Sequence, residues 1–193
     1  MDNIITSFPV LEHPAPSFTT SEASEFAELW FKETLEISPL VSERDQNFLL
    51  TNNKEEKFVL KIANAAEPVE VLDFQNQAMN HMAKQDPSLP LPRVCLSLDK
   101  KQIHRLELNG NKHFVRVVTY LRGKLLDDLP KNKRNQNLMV SMGQFLGRLD
   151  RGLFGFSHPA SGYALLWDLQ QTPSLYQHLS HIKDKNNLLA AQK

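Results

Sequence analysis

Apolar residues along this chain switch between two periods, and the switches mark out its elements. In TTSEASEFAELWFKETLEI, residues 19–37, Phe26, Leu29, Trp30, Phe31 and Leu35 form one broad face while Glu25, Glu28, Lys32 and Glu33 fall mostly off it, which predicts a helix. Thr19 followed three residues later by Glu22 is a capping-box pattern that supplies partners for free N–H groups at its start. Apolar runs at 40–41, 48–51 and 58–63 predict three strands, with TNNKEE turning between the last two. Glu67 and Pro68 open a second helix, on which Val71, Leu72, Gln75, Met79 and Met82 recur at helical spacing to about Lys84. The prolines of DPSLPLPRV end it. RVCLSLD, QIHRLEL and HFVRVVTYL then read as strands, the last two joined by NGNK, whose Asn109-Gly110 pair is a hairpin signal. Beyond the polar connection RGKLLDDLPKNK, Leu138, Met142, Phe145, Leu146, Leu149 and Leu153 make one stripe of a long helix, and Gly143 and Gly147 beside it suggest close helix packing. FGFSHPASGYALLWDLQQTPS reads as a loop with a short ordered stretch from Trp167 to Leu169, and a last helix is expected from Pro173 onward. The order of elements predicts an α+β chain of two lobes, a sheet with an inserted helix followed by a helical region, with the cleft between them as the natural ligand site.

Composition narrows the choice of partner. The chain has 193 residues with 22 basic and 22 acidic side chains and no long run of one sign, which argues against nucleic acid or an anionic membrane as partner. Cys95 is the sole cysteine, so an intramolecular disulfide and a thiolate cluster are excluded and a reducing cytoplasm fits. The opening MDNIITSFPVLEHPAP lacks the pattern of a signal peptide, and no 18 apolar residues run together; the expectation is a soluble protein whose first residues form an extended arm.

Candidate chemistry centres on Lys61, set in the apolar run FVLKIAN. It is either an outward residue of a half-exposed strand or a cation placed for phosphate, as where a strand–turn–strand covers nucleotide phosphates and a lysine on the following strand reaches them. Other constellations read as structural. His178 and His181 share a helix face but lack a third metal ligand at convincing spacing. His158 has no serine–acid framework nearby. Trp30, Phe31 and Trp167 read as packing residues in the absence of a basic groove, and Asp127 and Asp128 as parts of an exposed linker.

The segments SERDQNFLL, FVLKIAN, LDFQNQAMNHM, LPRV, VRVVTYLRGKLL, MGQFLGRLD and FSHPASGYALLWDL, in this order and spacing across residues 40–169, resemble the aminoglycoside phosphotransferase and choline kinase-like superfamily, and within it the hydroxylysine kinase-like branch. The resemblance implies an N-terminal arm at 1–18, a protein-kinase-like N-lobe at 19–120 (a mixed antiparallel sheet with an inserted helix), and a hinge with a partial helical C-lobe at 121–193. It implies that Ser42, Arg44, Asp45, Gln46 and Asn47 cover nucleotide phosphates, that Lys61 reaches them, and that Thr119, Tyr120 and Leu121 form the hinge whose backbone meets adenine. The helix acid that pairs with the lysine in relatives aligns with Gln75; Glu70 or Asp73 would substitute in another helix register. ATP with magnesium is the implied cofactor, and the acceptor in a complete relative is a small hydroxyl-bearing molecule, an amino alcohol or hydroxy-amino acid.

The same resemblance exposes departures. The H-x-D-x-x-x-x-N loop and later aspartate that orient the attacking hydroxyl and hold magnesium in relatives have no counterpart; HIKDKNN places His181 and Asp184 three apart rather than two. The implied catalytic set and metal-ligand set are therefore both empty. The stretch after Tyr120 is also far shorter than a family C-lobe, which leaves two expectations: a nucleotide-binding portion inactive alone, or a non-catalytic interaction module that kept the fold. Either way the stripe around Leu138 to Leu153 is expected to be partly exposed and to promote self-association.

Overall fold

The structure is a computed structural model and describes residues 13–108, 110–165 and 168–191. Its elements run α1 (Thr20–Ala27), β1 (Glu36–Leu40), β2 (Gln46–Thr51), β3 (Lys57–Ile62), α2 (Val69–Gln85), β4 (His104–Leu108), β5 (Asn111–Thr119), α3 (Gln136–Leu153) and α4 (Lys185–Ala191), with 3-10 segments at Lys131–Lys133, Pro159–Gly162 and Leu169–His181. The five strands form one sheet in the order β1-β2-β3-β5-β4, every neighbouring pair antiparallel. This is the α+β, kinase-like plan, with α2 inserted between β3 and the β4–β5 hairpin. The early N-terminal arm, Asn109 and Trp167 lie outside the described residues; Gly110, beside Asn109, has φ +78°, a conformation glycine adopts without steric cost.

Strand alternation divides the sheet into two unlike faces. On one, Phe48, Leu50, Leu60, Ile62, Val115 and Val117 are almost completely buried beneath Phe18, Ala23, Ala27 and Trp30. On the other, Asn47, Lys61 and Arg116 share a row because Asn47 pairs with Lys61 and Lys61 with Arg116. Helix α2 covers the Arg116 end of that row.

The capping box forms as expected: the Glu22 N–H donates to Thr19 Oγ1 at 3.2 Å and the Thr19 N–H to Glu22 Oε2 at 2.7 Å. Helix α1 nevertheless stops at Ala27, short of the predicted stretch to Leu35. Adjacent aromatic residues on a helix point about 100° apart, so a straight continuation cannot turn both Trp30 and Phe31 inward. The chain instead tightens, with Trp30 N bonded to Ala27 O at 2.9 Å. Trp30 Nε1 then donates to Cys95 O at 3.0 Å, and Phe31 packs on Phe58 with ring centroids 4.9 Å apart.

Other boundaries also moved. β1 begins at Glu36 and leaves Val41 fully exposed; Pro39 fits because β1 is an edge strand, where a missing N–H interrupts no inner ladder. The predicted strand RVCLSLD is reduced to one bridge, Val94 to Val118, with Cys95 N bonded to Val117 O at 2.9 Å. Helix α2 starts beside Pro68 as expected, and α3 is capped by Asn135, whose Oδ1 accepts from Leu138 N at 3.1 Å.

The glycines of α3 correct the packing expectation. Gly143 and Gly147 have open space where a side chain would begin, so no close approach explains them. The tight glycine is Gly152, where a Cβ would lie 2.5 Å from Met82 Cε on α2. Around it His81 Nε2 lies 3.0 Å from Gly152 O, and Arg148 grips Asp86 through Nε at 2.8 Å and Nη2 at 2.7 Å. No helix among the described residues is long and apolar enough to cross a membrane.

Candidate functional site

The row Asn47–Lys61–Arg116 runs from half-buried to buried on one face of the sheet. Lys61 Nζ donates to Asn47 Oδ1 at 3.0 Å. Burial pushes the ammonium below the usual lysine range; Asp45 opposes that shift and Arg116 adds to it. Arg116, only 4% exposed, donates from Nη1 to Asn76 Oδ1 at 2.7 Å and to Leu72 O at 3.3 Å, and from Nη2 to Gln75 Oε1. Burial lowers its pKa too, against the pull of Asp45 and Glu67. Glu67, 6% exposed, is pushed upward by burial while Arg44 holds it down, Asp45 raises it and Arg116 lowers it. The Tyr163 hydroxyl is held above its ordinary range by burial and then by Glu67, against Arg44.

The β1–β2 turn sits at the end of this row. Ser42 Oγ donates to Asp45 O at 2.6 Å, and Asn64 N donates to Asp45 Oδ1 at 3.3 Å. The Asn64 amide reaches the carbonyls of Arg44, His13 and Pro14, each at 3.3 Å, so the turn, the end of β3 and the arm are clasped together. Gln46 is committed elsewhere: its Oε1 accepts from Phe18 N at 2.7 Å and its Nε2 donates to Phe18 O at 2.8 Å. Its amide fixes the arm to β2 rather than facing the cleft.

At the other end of the same face an open cavity of about 670 Å³ is lined by residues including Ser38, Leu49, Lys57, Tyr120 and Arg122. Leu49 is two residues from Asn47 along β2, roughly 7 Å. Tyr120 lines the cavity and Thr119 precedes it in a braced corner: Thr119 N bonds to Arg93 O and Arg93 N to Thr119 Oγ1, both at 2.9 Å, and Tyr120 N bonds to Lys57 O at 3.0 Å. Those two N–H groups are thus occupied, while the side chains of Tyr120 and Leu121 are exposed.

The three candidate partners of Lys61 lie apart from it. Gln75 meets Arg116 instead. Asp73 accepts from Gln77 Nε2 at 2.7 Å and lies 3.1 Å from His158 Nε2. His158 Nδ1 accepts from Ala160 N at 3.1 Å, which leaves the ring proton on Nε2 and makes Asp73 its acceptor. Asp73 therefore ties α2 to the Pro159–Gly162 segment. Glu70 is exposed in the first turn of α2.

Arg116, Asn76 and Glu67 are the site residues that pattern reading passed over. Arg116 had a signal, since it is a cation between apolar residues of VRVV just as Lys61 is in VLKI. Glu67 reads from the sequence only as part of a helix start. The remaining candidates have local roles: Asp184 caps α4 by accepting from Asn187 N at 2.8 Å, and His178 and His181 stack with centroids 6.0 Å apart on an exposed surface. Among the described residues no three His, Cys, Asp or Glu side chains converge to hold a metal. Burial pushes the Cys95 thiol up to about 11, so it is no nucleophile at neutral pH.

Comparison with known proteins shows the family and the fold. Hydroxylysine kinase of Danio rerio is 26% identical over 178 residues, covering 88% of this chain and 49% of the relative; the chain thus spans about half the length of that curated protein. An amicoumacin kinase solved with AMP-PNP, Ca2+ and Ami superposes with a TM-score of 0.67 at 13% identity, covering 91% of this chain and 51% of the neighbour. A microcompartment-associated aminopropanol kinase superposes with a TM-score of 0.59 at 12% identity, covering 78% and 45%. These two likenesses show the kinase-like fold. Residues 36–191 match the phosphotransferase enzyme family, and the chain belongs to that family.

Proposed function

We propose that this chain is the nucleotide-binding portion of a small-molecule phosphotransferase, with residues 19–120 as the N-lobe and 121–193 as the hinge and the start of the helical lobe. The observation that carries the reading is the cation row Asn47–Lys61–Arg116 one strand step from the hinge-side cavity. A base at the Tyr120 end and phosphates at the Lys61 end fit that spacing. The Ser42–Asn47 turn covers the phosphates, Lys61 releases Asn47 to bind a phosphate oxygen, and Arg44 and Asp45 set the local field; Gln46 serves by anchoring the turn.

ATP is the proposed nucleotide, by analogy with the AMP-PNP held by the amicoumacin kinase. That neighbour also holds Ca2+, but the described residues of this chain bring no three acidic or histidine ligands together, so its own residues do not fit a magnesium site unaided. The chain alone binds nucleotide without transferring phosphate. In a complete relative the γ-phosphate goes to the hydroxyl of an amino alcohol or hydroxy-amino acid, and the cytoplasm is the compartment this chemistry suits.

Calorimetric titration of ATP, with and without magnesium, into the chain and into Lys61→Ala tests this. A charge-assisted hydrogen bond contributes about 1.5–3 kcal/mol, so the variant is expected to bind about tenfold or more weakly. Absence of heat with the folded wild-type chain would overturn the reading. The exposed side chains of Met139, Val140, Met142 and Leu146 on α3 favour a second reading, an interaction module that self-associates through that helix. Sedimentation giving a clean monomer at all concentrations would count against it.

A further inference from the structure

Lys61 and Arg116 are direct cross-strand partners, a position where like charges destabilise a sheet. Neither takes part in any ion pair among the described residues. Arg116 bonds only to neutral acceptors on α2, and its Nε and the neighbouring Asn76 Nδ2 are buried with no partner among the described residues. Buried charges are ordinarily paired, because removing an ion from water without a counter-ion is costly. Asp45 attracts both from a distance and the buried Glu67 attracts Arg116, but neither forms an ion pair with them, so two adjacent cations whose direct contacts are all neutral leave a place that an anion completes.

Resting on the nucleotide reading above, we infer that Arg116 is a phosphate-positioning residue. It is the second cation of the polyphosphate site, and through Leu72, Gln75 and Asn76 it couples α2 to the sheet in place of a lysine–carboxylate pair. The guanidinium suits both tasks. Its forked donors hold a carbonyl and two side-chain amides while the charge stays intact, since amide oxygens accept hydrogen bonds without neutralising a cation. An acid at position 75 would hold the helix as firmly but cancel the field that attracts phosphate. With α2 secured by Arg116, Lys61 keeps among the described residues one neutral hydrogen-bond contact, Asn47 Oδ1, which a phosphate oxygen can displace.

Gln75→Glu separates this arrangement from one in which Gln75 stands merely where the lysine's acid is missing. ATP, ADP and adenosine are titrated into the wild-type chain, Lys61→Ala, Gln75→Glu and Arg116→Gln, with thermal unfolding recorded for each. Gln75→Glu is expected to weaken ATP about tenfold, ADP less and adenosine not at all, while its melting temperature is kept or raised by the new pair with Arg116. Tighter or unchanged ATP binding by Gln75→Glu would overturn the inference. Arg116→Gln is expected to lose the same preference for ATP over adenosine; should it fail to fold, Gln75→Glu, altered at an exposed position, decides alone. Wild-type ATP binding that depends on Lys61 but not on charge at 75 or 116 sinks this inference and leaves the nucleotide reading intact. No ATP binding by folded wild-type chain removes both.

Discussion

The sheet lobe and the helical segment after it use their apolar residues in opposite ways. Strand β5, nine residues long, buries His113, Val115, Arg116, Val117 and Val118, whereas α3, eighteen residues long, buries none fully. Met142 and Leu146 stand exposed on α3, and its contacts with α2 gather near its end, at Arg148 and Gly152. Both elements carry clear amphipathic patterns. Alternation in β5 finds its cover in α1 and α2, while the α3 stripe is covered only in part, with Leu138, Phe145, Leu149 and Leu153 half-buried and Met142 and Leu146 exposed. A pattern therefore says that a face will be buried, and only tertiary structure says by what.

The contrast predicts unequal costs for similar truncations. Leu60→Ala, in the closed core, is expected to lose about 2–5 kcal/mol in denaturant unfolding, and Leu146→Ala, on the open helix, no more than about 0.5 kcal/mol. Comparable losses would mean that α3 is as well packed as the sheet. Gly152→Ala tests a tight junction between the regions; overpacking against buried Met82 is expected to cost about 1–3 kcal/mol, and a Met82→Ala background should relieve it. Thr19→Ala removes one half of the capping box and should cost about 1 kcal/mol.

The smallest effect concerns Asp86, whose carboxyl is held below its ordinary value by hydrogen bonds from Arg148 and then Ser88. A lowered folded value means that the stabilisation is complete above the unfolded value, about pH 3.9, and disappears as pH falls through the folded one. The difference in melting temperature between wild type and Asp86→Asn should therefore hold steady from neutral pH to about pH 5 and shrink below it. A difference that grows on acidification would contradict the assignment.

Residues read correctly from sequence are those whose signals are local. The capping box needs only Thr19 and Glu22, the start of α2 needs Pro68, and β2 and β3 follow from short apolar runs around a polar turn. Errors arose where distant groups decide. Helix α1 ends early because Trp30 seeks the carbonyl of Cys95, far along the chain. The family resemblance places Gln46 over the phosphates, but its amide is spent on the distant Phe18, a pairing no local pattern reveals. Lys61 was legible as a cation in an apolar run, but the identity of its neighbour was not, since only the β3–β5 register brings Arg116 beside it. Gly143 and Gly147 misled because glycine spacing on a helix does not show which face has a partner.

That register also governs the order in which the chain can assemble. The β1–β2–β3 meander and the β4–β5 hairpin each join neighbouring segments, but β3 meets β5 only after the stretch containing α2 and β4 has folded back. Closing so long a loop carries an entropic cost, and such distant pairings slow folding. The seam is also where Lys61 and Arg116 repel one another. A chain with both local units formed and the seam still open has no Asn47–Lys61–Arg116 row, so a polyphosphate bound as proposed above would leave nucleation untouched and act as a late clasp that retards unzipping. Nucleotide should lower the unfolding rate in stopped-flow kinetics and leave the folding rate nearly unchanged.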